Sequence, residues 1–177
     1  MRAVVLDPPT AGLEEVLERR RRSGLDRLDE VWEGVLHMVP APTDGHGDIE
    51  SQLHAILRPL AHQAGLRMIG QSNLGESERD FRVPDGALHR PGAADTWHPT
   101  AALVIEIVSP GDESWEKLPF YAAHDVDEVL IVDPQERTVN WLRLDSGEYR
   151  PIARSELIEL GADELAARID WPAAPPG

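Results

Sequence analysis

A chain of 177 residues is long enough to bury a core without staples, and its lack of cysteine excludes a disulfide framework, a thiolate nucleophile and cysteine-held zinc or iron–sulfur sites. Its 32 acidic residues against 17 basic ones give a net charge of −15, which argues against a broad basic face for nucleic acid but leaves room for a metal-dependent enzyme with local cations. The first residues lack the apolar core of a signal peptide and no window approaches the roughly eighteen apolar residues of a membrane span, so the expectation is a soluble cytoplasmic protein with no membrane partner.

In chain order, residues 11–23 place Leu13, Val16 and Leu17 at helical spacing, and Gly24 ends that helix. The arginines at 19–22 sit at its C-terminus, where they complement the helix dipole and the acids a turn earlier; contact with phosphate is the rival reading. Residues 1–24 are taken as an N-terminal helical segment, 25–153 as the main domain, and 154–177 as a C-terminal helix with a loose tail from Trp171.

Glu33-Gly34 between two apolar alternations predicts a tight hairpin. After a proline-rich loop, a helix over about 46–64 carries Ile49, Leu53, Ile56, Leu57 and Leu60 on one stripe, with His46 and Glu50 on its border, four residues apart. A strand is predicted over 66–72, then a polar connector from Asn73 to Asp80, then a strand over 82–88 that contains Pro84-Asp85. Proline belongs at a strand end, so Asp85 is expected near one. Residues 90–99 read as a loop in which Trp97 folds back on the core; contact of Trp97 and His98 with a ligand is the rival reading.

The run Ala101 to Val108 is apolar and β-branched except for Glu106, the pattern of a strand buried on both faces. An unpartnered carboxylate there costs several kcal/mol or more, so Glu106 must meet a cation, a metal or a proton. Asp112 or Ser114 caps the following helix, which runs to about His124; Leu118, Tyr121 and Ala122 face inward, with Lys117 beside them. Strands over 128–133, 138–144 and 148–152 form an antiparallel meander, and a short helix covers 163–169.

The chain has no repeat, phosphate loop, nucleophile elbow or paired-histidine motif. What is left is Asp85, Glu106 and Lys117. Two carboxylates at strand ends suit Mg²⁺ or Mn²⁺, a lysine beside them suits water orientation or charge stabilisation, and together they fit phosphodiester hydrolysis. The same triad also reads as a structural ion pair.

Val83-Pro84-Asp85, Val104-Ile105-Glu106-Ile107-Val108-Ser109-Pro110, Lys117 with Tyr121, and Asp125 to Pro134 follow one another in an order that resembles the PD-(D/E)xK nuclease superfamily. With Glu30 to Gly34 and His46 added, the chain resembles more closely the Uma-two family of restriction-endonuclease-like proteins, over roughly residues 25–150. The resemblance implies an α/β fold, a mixed β-sheet flanked by helices with a C-terminal meander, and a restriction-endonuclease-like domain at 25–153. It implies metal binding by Asp85 and Glu106, with Lys117 doing the work of the motif lysine. The pattern's own lysine position, two residues after Glu106, is filled by Val108. Glu50 is the first choice for an additional early carboxylate and Glu30 the second.

The function expected is a Mg²⁺-dependent endonuclease cutting DNA as a homodimer, with the meander supplying the interface. The alternative is a catalytically weak or inactive module of the same fold that binds a protein partner in a mobile-element or defence system, which the net charge favours; a small-molecule hydrolase using the same carboxylates is the third class.

Overall fold

The computed structural model describes residues 11–92, 96–109, 111 and 113–172. Helix α1 (Ala11–Ser23) leads through a 3₁₀ turn into the hairpin β1 (Glu30–Trp32) and β2 (Val35–His37). Glu33 and Gly34 both have positive φ, 49° and 85°, which gives the two-residue turn the twist a tight hairpin needs. Of the four arginines, Arg20 ties the helix down by bonding the Asp29 carboxylate and the Val39 carbonyl, while Arg21 and Arg22 pair with Glu18 within the helix.

Helix α2 (Asp44–Gln63) begins at Thr43, whose hydroxyl accepts the His46 N–H at 3.3 Å. Its buried residues Ile49, Leu53, Leu57 and Ala61 recur every four positions and form one wall of the larger core. The strand expected over 66–72 is only β3 (Arg67–Ile69). The expected polar connector is instead strand β4 (Asn73–Ser77), paired to β5 (Asp80–Arg82). Its polar side chains hid it: only Leu74 and Gly75 are buried, and Gly75, at φ 145°, lies where an added Cβ would meet the Asp80 carbonyl at 2.7 Å.

The strand expected over 82–88 is broken. Pro84 has no N–H for a ladder, and the chain leaves β5 at Arg82 and re-enters a different sheet as β6 (Gly86–His89). Asp85 sits at that crossing. The expected loop over 90–99 contains a short strand, β7 (Trp97–His98), and Trp97 packs edge-on against Phe81 at 5.1 Å.

Strand β8 (Leu103–Ile107) is buried at every position. A 3₁₀ turn (Trp115–Lys117) and helix α3 (Leu118–Ala123) follow, with Pro119 in the first turn; Pro110 and Asp112, the latter one of the two expected caps, lie outside the described residues. Then come β9 (Glu128–Asp133), β10 (Thr138–Asp145) and β11 (Glu148–Ile152), antiparallel to one another as the alternation requires, and α4 (Ala162–Ala166).

Among the described residues the strands form two sheets, ordered β2-β1-β5-β4-β7 and β11-β10-β9-β8-β6-β3. In the second, β8 runs parallel to β9 and antiparallel to β6. Leu103, Ile105 and Ile107 face α2 and the larger core, whereas Val104 and Val108 join a smaller core with Phe120 and Tyr121 of α3. Ile158, Leu160, Leu165 and Ile169 also enter the larger core, and Trp171 packs on it, its indole N–H donating to the Ala166 carbonyl. No helix among the described residues is long and apolar enough to cross a membrane.

Glu128 is a second buried strand carboxylate, 1% exposed, and it is fully occupied: the Trp141 indole donates at 2.7 Å, the Ser155 hydroxyl at 2.6 Å and the Glu156 N–H at 2.8 Å. Truncation leaves those donors without acceptors. Glu128→Ala is expected to cost about 2–3 kcal/mol, read as a lower midpoint in urea unfolding; an unchanged midpoint would refute the structural role assigned to it.

Candidate active site

β8 places Glu106 on the face that looks toward α3. One position beyond the last β6–β8 pair, Gly86 with Ile105, Asp85 falls opposite Glu106, and its Oδ2 accepts the Ile107 N–H at 2.7 Å. From the other side the 3₁₀ turn delivers Lys117, whose Nζ lies 3.1 Å from both Glu106 oxygens and 2.9 Å from Glu30 Oε1. Tyr121, one turn on and fully buried, donates its hydroxyl to Glu106 Oε1. The structure therefore brings Asp85, Glu106 and Lys117 together, and Lys117 reaches the site from the next helical segment while Val108 packs into the smaller core.

Glu30 joins them directly. Its Oε1 accepts the Val83 N–H at 2.9 Å and its Oε2 accepts the Trp32 indole N–H at 2.7 Å, so the carboxylate under Lys117 is held at both oxygens. Glu50 stands further back on α2, where burial and then the Asp85 charge push its carboxyl up. His46, at the start of α2, bridges Asp85 Oδ1 at 2.9 Å and the Ser109 hydroxyl at 3.1 Å, which fixes the Asp85 carboxylate from the side opposite Ile107.

Three participants carried no signal of their own in the sequence. Trp32 acts through β-strand geometry, since residues i and i+2 share a face and this puts its indole on Glu30. His37 stacks on Trp32 with ring centroids 4.2 Å apart and bonds Glu113 at 2.8 Å across 76 residues. Arg82, its guanidinium 4.3 Å from the Trp32 ring and 4.0 Å from the Phe120 ring, joins the hairpin to α3.

Trp32, His37, His46 and Glu113 line a cleft of about 420 Å³ with Glu30, Asp85, Glu106 and Lys117 on its floor and the Met38–Thr43 loop along it. Burial pushes Glu106 up to about 8 against the pull of Lys117, with Asp85 and Glu30 pushing the same way as burial. Burial works against the Lys117 ammonium too, but Glu106 and Glu30 more than offset it and hold the lysine charged. The cleft thus gathers three carboxyl groups around one lysine, and Glu106 holds on to its proton in consequence.

That surplus of carboxyl groups is the test of whether a divalent cation fits. Among the described residues no group of three or more His, Cys, Asp or Glu side chains is spaced to hold a metal ion. Mg²⁺, however, is commonly held by one or two carboxylates, its remaining positions filled by water and substrate phosphate. Asp85 and Glu106 are hard oxygen donors, side by side, in need of positive charge. The residues fit such an ion.

A family model described as "Putative restriction endonuclease", Uma2, matches residues 14–168. The chain belongs to the Uma2 family. Among solved structures, a similar fold is seen in a protein described as a "putative nuclease belonging to DUF820" from Anabaena variabilis: 18% identity, TM-score 0.66, covering 79% of this chain and 90% of that one. A DrdV–DNA complex matches at 18% identity with TM-score 0.41, over 62% of this chain and 10% of that one. Compared with curated proteins, this Uma2 member has no significant match. The restriction-endonuclease-like α/β fold expected from the sequence is the fold observed.

Because the folded state raises Glu106 above its ordinary value of 4.5, its protonated form favours the native state, and that contribution is lost as pH rises from about 4.5 through 8. Glu106→Gln removes the titrating group. Thermal unfolding from pH 5 to pH 8 is expected to show the variant gaining stability relative to wild type as pH rises. A difference in Tm that stays constant across that range would mean Glu106 is not held up in the native protein.

Proposed function

We propose that this protein is a metal-dependent endonuclease that hydrolyses DNA phosphodiester bonds, with Mg²⁺ or Mn²⁺ held by Asp85 and Glu106. The observation that carries the reading is the meeting of Asp85, Glu106 and Lys117, from three separate segments, in one acid-floored cleft. Membership in a family described as restriction endonucleases supports it.

In this reading each residue has one task. A bound divalent cation supplies Lewis-acid polarisation of the phosphodiester and activation of water. Lys117 presents a permanently charged ammonium to the reacting phosphate, where negative charge grows in the transition state. Glu30 keeps that ammonium in place, held in turn by the Val83 N–H and the Trp32 indole. Tyr121 orients Glu106, while His46 and the Ile107 N–H orient Asp85. Because each carboxylate is braced by a neighbour, little reorganisation accompanies substrate arrival.

The test is cleavage of supercoiled plasmid and of single-stranded DNA with Mg²⁺ or Mn²⁺, run beside Asp85→Asn, Glu106→Gln and Lys117→Met. Wild type is expected to cut and each variant to lose on the order of 100-fold or more in rate while keeping its circular dichroism spectrum. Cleavage that survives in the variants sinks the residue assignment. Absence of cleavage by folded wild type with either metal sinks the enzyme reading and leaves a binding module built on the same fold.

A further inference from the structure

A second cleft, of about 690 Å³, adjoins the first; Leu28, Gln71 and Val83 line both. Its character is the reverse. Arg27 from the 3₁₀ turn, Arg67 from β3 and Arg90 after β6 line it together with His89 and His98, and among the described residues it has no acidic lining residue. In a chain of net charge −15 such a grouping runs against the composition. All three arginines are exposed. Arg90 also pairs with Asp127 at 2.7 Å, and Arg67 donates to the Gly92 carbonyl at 3.4 Å; both interactions are exposed and weak, so both cations stay available to a ligand.

The second observation is His89. It is only 7% exposed, and its Nε2, itself closed to solvent, has no hydrogen-bond partner among the described residues, so the residue forms a wall of the cleft. Its ring lies 4.2 Å from that of His98. Burial first, then His98 and Arg67, hold it down to about 4, so the ring is neutral and the positive charge of the cleft belongs to the arginines.

We propose that this cleft receives an unpaired strand of nucleic acid, the stretch adjoining the phosphodiester in the catalytic cleft, with Arg67 and Arg90 on its phosphates. The inference rests on the nuclease reading and names the substrate class for it. Because Leu28, Gln71 and Val83 line both clefts, a strand seated in one would run beside the other. Pockets in this range of volume enclose a ligand of drug size, about one or two nucleotides of single strand, and not a duplex. A grip by a few arginines also resolves the charge problem: a duplex-binding face needs many cations, whereas a short single strand needs few.

The test is fluorescence anisotropy with labelled oligo(dT), labelled oligo(rU) and a labelled duplex of equal length, in EDTA so that no cleavage intervenes, over a range of salt. Arg67→Gln/Arg90→Gln is compared with Arg150→Gln on β11, at the opposite edge of the same sheet. The single strand is expected to bind more tightly than the duplex. The double variant should weaken single-strand binding about tenfold or more and flatten its log–log salt slope by about 1.4, about 0.7 for each phosphate no longer neutralised, while Arg150→Gln changes neither. Tighter duplex binding, or equal effects of the double variant and Arg150→Gln, would overturn the proposal. Preference for oligo(dT) or oligo(rU) assigns the sugar. Plasmid cleavage is measured alongside: wild type that binds single strand but never cuts fails the nuclease reading alone, and a double variant that binds and cuts like wild type fails this inference alone.

Discussion

The structure turns on one constraint, the carboxylate of Glu106 at the centre of a strand that is otherwise apolar and buried. Burying that group costs several kcal/mol unless something answers it. The answer comes from Lys117 and Tyr121, on the segment after the strand, with Glu30 from the other sheet holding the lysine, while Asp85 from the antiparallel neighbour adds like charge against it. Each of these interactions also joins two elements. The carboxylate is therefore an organising point between the sheets as well as the chemical centre.

Glu128 shows why the two buried strand carboxylates differ in kind. It is answered by an indole, a hydroxyl and a main-chain N–H, all neutral, and it lines neither cleft. A carboxylate so enclosed cannot be offered to a substrate without dismantling its surroundings. Glu106 lies on the floor of an open cleft beside a second carboxylate, with the balance of charge unfavourable, and it gains by accepting a further cation. The difference is one of net charge and access, and local sequence gives no hint of it.

Legibility in the sequence follows the same line. Glu106 is visible because a charge interrupts an eight-residue apolar run, and Asp85 because proline marks a strand end. The long apolar stripes of α2 and β8 and the alternation of β9 to β11 are likewise readable, since each buries a face. The strand pair β4 and β5 is not, because its outward residues are polar and its one tight approach is made by Gly75. Glu30 ranks below Glu50 in the sequence because a helix border looks more like a site edge than a hairpin does; only the docking of the hairpin sheet places Glu30 under Lys117. Arg82, His37 and Glu113 depend on interactions across long sequence separations, which periodicity cannot report.

The charge of the chain is best understood by where its exceptions lie. A surface with a large acidic excess repels a polyanion at long range, so association with nucleic acid through general attraction is disfavoured. Against that background a cleft lined by three arginines, with no acid among its described residues, is a local reversal of sign, and it shares a wall with the cleft whose floor is short of positive charge. On the proposed reading, the acidic exterior disfavours duplex laid across the surface, and the arginine-lined cleft offers a single strand local cations that the rest of the surface withholds.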